Sequence, residues 1–379
     1  MSHALFASSF TMILSELPAF LTSLGGEDYK GLIISLFTVT AGVSRPFSGK
    51  LADTIGRVPV MVVGTLVCVV CSLMYPFMTT VYGFLLLRFL HGFSTGFKPT
   101  ATTAYTADIV PAHRRGEAMG ILGVSMNTGA SASPPIGSWL AMNWSLNVMF
   151  VVSSIMGLIS VLILLWLKES LKDKQSFQWK FLAVSKDEIV APEVVPVAVV
   201  TAVIYFSFGA MLTIVPDQTV ALGMTNKGLY YTSFTACSLL SRLVAGKLSD
   251  RVGRQPVLKL SILMMVVSLI FIAHVTSPSG LLIASGCLGF SLGIAAPTVF
   301  AWTIDRSSEH RRGVALATTY IALEVGIGTG AMISAWLYDN DANNFCYAFY
   351  WMACVTVLGF IYIMFYKPAD KFQQPEKAT

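Results

Sequence analysis

Charged side chains are scarce in this sequence. Lys, Arg, Asp and Glu make up 12% of its 379 residues, about half the share of an ordinary soluble domain. So little polar side chain cannot cover a water-facing surface. That excludes a cytosolic enzyme, a secreted module and a nucleic-acid binder. Histidine is rare too, with five residues. No Ser/His/Asp or Cys/His arrangement, His/Glu metal cluster or phosphate-cradling glycine loop followed by Lys-Ser/Thr is present. No catalytic residue, metal or cofactor is expected. The six cysteines lie in or beside apolar runs. Cys68 and Cys71 have the spacing of half a zinc site, but no histidine or acid flanks them. Free cysteine in such a run acts as a small buried hydrophobe.

What is abundant is apolar residue: 55% of the chain, with a mean hydropathy of +0.69. A bilayer-crossing helix needs about 20 mostly apolar residues. Twelve runs qualify, at 4–24, 31–48, 58–79, 81–106, 116–141, 146–167, 194–215, 228–247, 257–275, 280–304, 313–337 and 344–366. Numbered in order, these are spans 1 to 12. Lipid offers no partner for an unpaired backbone group, so the chain is expected to be nearly all helix. One long polar stretch, 168–193, separates six spans (1–167) from six more (194–366). It holds five lysines and an aromatic patch at 177–181 suited to lie flat on a membrane surface. Residues 367–379 form a polar tail.

The 25 Lys and Arg give the orientation. With the N-terminus inside, only Lys30 and Lys227 face out, and Arg88 and Lys98 fall within a span. The rest gather on the inner side, a strong positive-inside bias. Both termini are then cytoplasmic, and a bacterial cell membrane is the expected location. Met1-Ser-His precedes span 1 with no basic flank, as expected of a chain that starts late. A cleaved signal peptide is not expected, because Glu16 interrupts the apolar run and no basic n-region precedes it.

The chain repeats itself at an offset of 197 residues. Lys30-Gly31-Leu32 matches Lys227-Gly228-Leu229, and Ser44-Arg45 matches Ser241-Arg242. Gly49-Lys50-Leu51-Ala52-Asp53 matches Gly246-Lys247-Leu248-Ser249-Asp250, and Gly56-Arg57 matches Gly253-Arg254. Gly92-Phe93-Ser94 matches Gly289-Phe290-Ser291, Asp108 matches Asp305, and His113-Arg114-Arg115-Gly116 matches His310-Arg311-Arg312-Gly313. A register held without a gap this long means one bundle built twice, related by an axis along the membrane normal. The fold class expected is therefore an all-α membrane protein of twelve transmembrane helices in two pseudo-symmetric six-helix bundles.

The segment from Gly49 to Arg57, between spans 2 and 3, resembles the signature loop of the major facilitator superfamily. Its copy runs from Gly246 to Arg254. The resemblance covers essentially the whole chain and implies alternating access, in which two halves rock about a central site near the midplane. The glycines allow tight turns and close helix approach. Asp53 and Arg57, Asp250 and Arg254, with Asp108, Arg115, Asp305 and Arg312, are placed as charged gating elements on the inner face. Asp53 is expected to meet the start of span 11 near Gly313, and Asp250 the start of span 5 near Gly116, where the helix dipole favours an anion. The alternative is that these charges only anchor orientation.

Positions where the halves differ are candidates for chemistry. Span 4 carries Arg88, His91, Thr95, Lys98, Thr102 and Tyr105 at alternating spacings of three and four, one helical stripe. Arg88 and Lys98 are about 15 Å apart along the axis. The copy in span 10 reads Ser285, Leu288, Leu292, Ala295, Val299 and Trp302. A charge at mid-bilayer usually faces a cavity or a partner, so the cationic stripe is expected to line the central cavity. Lys98 is the preferred substrate-facing cation. Arg88, where the superfamily often has an arginine, is either a substrate contact or a tie to span 1. His91 is either functional or a packing residue. Glu16 in span 1, within expected reach of Arg88, reads as a proton carrier or as a permanent ion-pair partner. Glu324 in span 11 reads as a coupling residue or a contact for a cationic substrate; its repeat position is Asn127, a candidate substrate contact. Asp217 is expected to be solvated.

Span 5 contains Gly129, Pro134, Pro135 and Gly137 in a pattern similar to the motif of the drug:proton antiporter branch, with Ser133 and Ser138 in place of two glycines. The resemblance favours antiport; the alternative is a small-residue packing seam. The reading is a proton-coupled exporter of small amphiphilic compounds or metabolites, acting as a monomer on a small-molecule substrate and protons in the bilayer. A symporter or uniporter for an organic anion is the alternative, and a non-transporting membrane sensor a remote one.

Overall fold

The computed structural model describes residues 1–111, 115–171, 173–182, 189–307 and 312–366; of Arg115, Gly116, Glu117, Gly120, Lys247 and Arg312 it describes the backbone alone. His113, Arg114, His310, Arg311 and the 367–379 tail, all read above, lie outside the described residues.

The described chain is helix after helix. Span 1 is two pieces, Ser2–Met12 and Leu17–Ser23, broken at residues 13–16. Pro18 has no N–H to give and its ring excludes the carbonyl one turn back, so the first helix cannot run through it. The break leaves Glu16 at the start of the second piece, inside the span. Spans 2 to 6 are Lys30–Thr54, Arg57–Met74, Val81–Ile109, Arg115–Asn143 and Leu146–Leu165. Spans 7 to 12 are Val195–Ala221, Leu229–Val252, Arg254–Ala273, Pro278–Arg306, Arg312–Tyr338 and Phe345–Phe365.

Among the described residues nine of these helices are long and apolar enough to cross a membrane on composition alone. Spans 4, 5 and 8 are not. They carry more polar residues, several of them buried: Arg88, His91 and Lys98 in span 4, Ser133 and Ser138 in span 5, Ser238 and Ser241 in span 8. The duplication reaches small details. Thr80 and Ser277, one repeat apart, each cap the next helix by accepting from an N–H at 3.2 Å. Gly56 and Gly253 sit at φ +124° and +100° at the starts of spans 3 and 9, conformations that side chains rarely adopt. A Cβ at Gly92 or Gly289 would run into the carbonyl oxygen of Phe37 or Phe234. Spans 2 and 4, and spans 8 and 10, therefore touch backbone to backbone.

The halves meet along two seams. Span 2 lies on span 11: Gly31 against Ala335 and Met332, Ser35 Oγ donating to the Gly328 carbonyl at 2.7 Å, and Gly42 against Glu324. Span 5 lies on span 8: Asn226 Nδ2 donates to the Pro135 carbonyl at 2.9 Å and Thr232 Oγ1 to the Ser131 carbonyl at 2.6 Å. Both seams close the face that carries Lys30 and Lys227. Toward the signature loops, among the described residues, Gly49, Gly246 and Gly313 have open space beside them, and this side is called the open face.

The stretch after span 6 is tied to the first half. Gln175 N donates to the Thr54 carbonyl at 2.8 Å. Phe181 is buried among Leu51, Ala52, Val60, Met61, Ala101 and Leu164. The aromatic patch therefore does not lie flat as a unit: Trp179 stays exposed while Phe181 plugs the bundle. Ala191 N donates to Thr318 Oγ1 at 2.9 Å, tying the far end to span 11.

Candidate functional site between the two halves

The span-4 stripe does not line an open cavity. Arg88, His91 and Lys98 are 1%, 0% and 0% exposed, turned into the first half. Arg88 Nε donates to the Ile33 carbonyl at 2.9 Å and Nη1 to the Tyr75 hydroxyl at 3.3 Å, with the guanidinium 4.5 Å over the Phe37 ring. It is a tie to spans 2 and 3, not to span 1. His91 lies between the Tyr75 hydroxyl (3.2 Å) and Cys68 Sγ (3.3 Å). Lys98 Nζ donates to the Ser2 carbonyl and hydroxyl and to Ser160 Oγ, at 2.9, 3.0 and 3.1 Å. Thr95 bonds back to the Gly92 carbonyl. The physical reason is close packing: Gly64 of span 3 lies against the Lys98 backbone, so this face of span 4 is covered by spans 1, 3 and 6.

Glu16 is not at Arg88 either. One oxygen accepts from Ser138 Oγ at 2.7 Å, and the other pairs with Lys227 of the opposite half at 2.9 Å. Asp217, expected in solvent, pairs with Lys30 at 2.5 Å. Lys30 and Lys227 are repeat equivalents. Each starts the second span of its half and reaches a carboxylate on the first span of the other. The two pairs form a pseudo-symmetric double lock on the closed face. The span-5 prolines take part. Pro135 has no N–H, so the Ser131 carbonyl four residues back loses its helical donor; Thr232 of span 8 supplies one. Gly129 packs on Ala4 and Gly137 on Met12, while Pro134 faces Gly228.

At mid-span, among the described residues, the halves share a further ion pair. Arg45 Nη2 of span 2 is 2.6 Å from Glu324 Oε1 of span 11, with side chains only 10% and 8% exposed. Arg45 lies 4.5 Å over the Tyr320 ring. Arg242 is its repeat equivalent, and its Nε is buried with no hydrogen-bond partner among the described residues. Asn127 is half-buried and makes no hydrogen bond with a described residue. Sequence reasoning counted Arg45 and Arg242 among inner-face charges. Spans 2 and 8 in fact run on to Thr54 and Val252, roughly two and a half turns further, which sets both arginines well inside. The available signal was the mismatch itself: arginine at both repeat positions 45 and 242, but Glu324 in one half where the other has Asn127.

On the open face Arg57 pairs with Asp53 and, at 3.1 Å, with Asp108; Arg254 pairs with Asp250 and, at 2.8 Å, with Asp305. Asp53 and Asp250 are 69% and 65% exposed on their side chains and stay within their own halves. The expected contact of Asp53 near Gly313 is not formed in this open arrangement; that of Asp250 near Gly116, like the side chains of Arg115 and Arg312, lies outside the described side chains. A residue the sequence did not flag completes the first cluster. Glu169 accepts from Arg57 N and Val58 N at 2.9 and 3.0 Å, capping span 3 from the segment after span 6. A Cβ at Gly56 would lie 2.5 Å from it. Burial alone would push the Glu169 carboxyl up, but N–H groups of Leu171, Arg57, Val58 and Ser170 outweigh it and hold the carboxyl below its ordinary value. A carboxyl with a depressed folded pKa contributes stability that is present above its unfolded value and lost as pH falls through the folded one. Glu169→Gln is therefore expected to lower stability at neutral pH by about 0.5–2 kcal/mol, as for a lost cap. It should also flatten the acid dependence below pH 4.5. Thermal unfolding of both proteins across acidic pH measures this.

A cleft of about 570 Å³ opens on the closed face beside Lys30, lined by Tyr29, Thr213, Met332 and Trp336. Neither Arg45 nor Glu324 lines it.

Two six-helix repeats, sealed at one face and joined at mid-span by a buried ion pair, define a membrane transporter rather than an enzyme. The sequence profile of the Major Facilitator Superfamily matches residues 1–226 and again 197–379. The chain belongs to that superfamily. It is 25% identical over 395 residues to Multidrug resistance protein MdtG of Klebsiella pneumoniae, covering 98% of this chain and 93% of that protein. It is 28% identical over 310 residues to Multi-drug resistance efflux pump PmrA of Streptococcus pneumoniae, covering 78% and 76%. Among solved structures it superposes on the human organic anion transporter MFSD10 with a TM-score of 0.74 at 17% identity, covering 96% and 97%. It superposes on a peptide transporter, POT, with a TM-score of 0.78 at 12% identity, covering 95% and 92%.

Proposed function

We propose that this protein is a proton-coupled exporter of small amphiphilic compounds, alternating between two faces of the cell membrane, with the signature loops and both termini in the cytoplasm. The observation that carries the reading is the Arg45–Glu324 pair, a buried carboxylate bridging the halves at mid-span. A proton added to Glu324 from water removes the charge that holds span 11 to span 2. Binding of a proton then biases the balance between the two arrangements, as coupling requires. Glu16, bridging to Lys227, occupies the corresponding position on the closed face and is a second coupling candidate. The names of MdtG and PmrA and the partial span-5 motif favour export. The excess of Lys and Arg on the signature-loop face favours its cytoplasmic placement.

The test is flux in proteoliposomes loaded at acid pH and diluted into neutral buffer. Uptake of an amphiphilic dye into the acid lumen, abolished when a protonophore collapses the gradient and absent in Glu324→Gln, is the expected result. Uptake driven only by a proton gradient of the opposite direction would mean symport and overturn the reading.

A further inference from the structure

Both halves build the cleft beside Lys30. One wall runs from Glu27 to Leu32, at the start of span 2. The other is the end of span 11, between Met332 and Asn340, with Thr213 and Ile214 of span 7 buried behind. The rims are joined where Asn340 Nδ2 donates to the Glu27 carbonyl at 3.1 Å. A volume of about 570 Å³ suits a drug-sized molecule. Leu32, Ile214, Met332, Ile333 and Trp336 make the lining largely apolar, and Trp336 is 78% exposed. The rim carries the carboxylates of Glu27, Asp28 and Asp339. None of these side chains makes a hydrogen bond or ion pair with a described residue. Lys30, the cation among the lining residues, is spent on Asp217 at 2.5 Å. The cleft is thus strongly negative in a chain of net charge +5.

We propose that this cleft binds an amphiphilic organic cation from the closed face, and that the bound cation holds that face shut. Its positive centre lies between the Glu27–Asp28 rim and Asp339, and its apolar body lies against Met332 and Trp336. The ring faces of Tyr29 and Trp336 favour a cation as well. Charge decides against other occupants. A phospholipid head brings a phosphate, which the three carboxylates repel while Lys30 is already paired. An organic anion meets the same repulsion. The two walls meet where Gly31 packs on Met332 and Ala335. Opening the closed face draws Glu27 and Asp28 away from Asp339 and dismantles the site. The cation therefore binds one arrangement in preference to the other, and so shifts the balance toward it. The site is separate from the mid-span pair and does not rest on the exporter reading. In the proposed orientation the cleft faces outward, so an amphiphilic cation accumulating outside slows the cycle.

The experiment compares tetraphenylphosphonium with tetraphenylborate, a cation and an anion of one shape, by calorimetry on the purified full-length protein. Saturable binding of the cation alone is expected. The triple variant Glu27→Gln/Asp28→Asn/Asp339→Asn should weaken it roughly tenfold, the scale of three exposed charge pairs. Trp336→Ala should weaken it through the apolar wall. Thermal unfolding without probe should be unchanged in the triple variant, which reports that it is folded. Spin labels at the exposed Ser23 and Ser279, on opposite halves of the closed face and outside the cleft, report the second part. In Glu16→Gln, which lacks one lock, the cation should gather their distances toward the short end. With the triple variant added, it should not. No saturable cation binding, equal binding of both ions, or cation binding indifferent to the triple variant would overturn the site. Cation binding that leaves the label distances unchanged would overturn its hold on the closed face.

Discussion

Removing Arg45 alone is expected to cost more than removing Arg45 and Glu324 together. In the protein the two side chains share one buried bond of 2.6 Å. Arg45→Met leaves the Glu324 carboxylate buried between spans 2 and 11 with no cation in contact. Breaking a buried pair in this way costs about 3–5 kcal/mol, because the survivor keeps its desolvation penalty and loses its compensation. The double variant Arg45→Met/Glu324→Leu removes both charges and fills similar volume, and such replacements are often neutral. Thermal unfolding of the two single variants and the double variant in detergent gives the cycle. A double variant no more stable than the worse single would mean that the pair does not bridge the halves. The double variant should be stable and inert: it should bind lipophilic dye but not accumulate it in response to a pH gradient, since the group that would sense protons is gone.

The closed face should open when its two locks are removed together. Asp217→Asn and Glu16→Gln each leave the lysine in place but take away the charge it crosses the seam to meet. Hydrogen bonds to charged groups contribute about 1.5–3 kcal/mol each. Two such losses shift the balance between arrangements by at least about 3 kcal/mol, more than a hundredfold in population. Single variants should shift it much less, because the second lock and the Thr232 and Asn226 bonds still hold. Spin labels at Tyr29 and Trp336, on opposite halves of the closed face, should move apart in the double variant. Labels at Gly49 and Gly313, beside the open face, should approach. Unchanged distances in both pairs would show that packing of Gly31 on span 11 and Gly228 on span 5 closes this face without help from charge.

Composition and repeat made the architecture legible. Twelve apolar runs can only be helices in lipid, and a gapless offset of 197 residues can only be one bundle used twice. The signature loops were readable for the same reason: their turns need glycine at Gly56 and Gly253 whatever surrounds them. The site was less legible. Helical periodicity correctly gathers Arg88, His91 and Lys98 on one face of span 4, but periodicity says nothing of what that face meets. Close approach of span 3 at Gly64 covers it, so the stripe became internal scaffolding. Span length misled at Arg45 and Arg242, which look like inner-face charges until the helices are seen to continue past them. The partners of Glu16, Asp217 and Glu324 come from the other half, more than 180 residues away in sequence. Pairings at that distance depend on how two rigid bundles are set against each other. Local sequence determines each bundle; only the tertiary arrangement decides which charges the seam between them brings together.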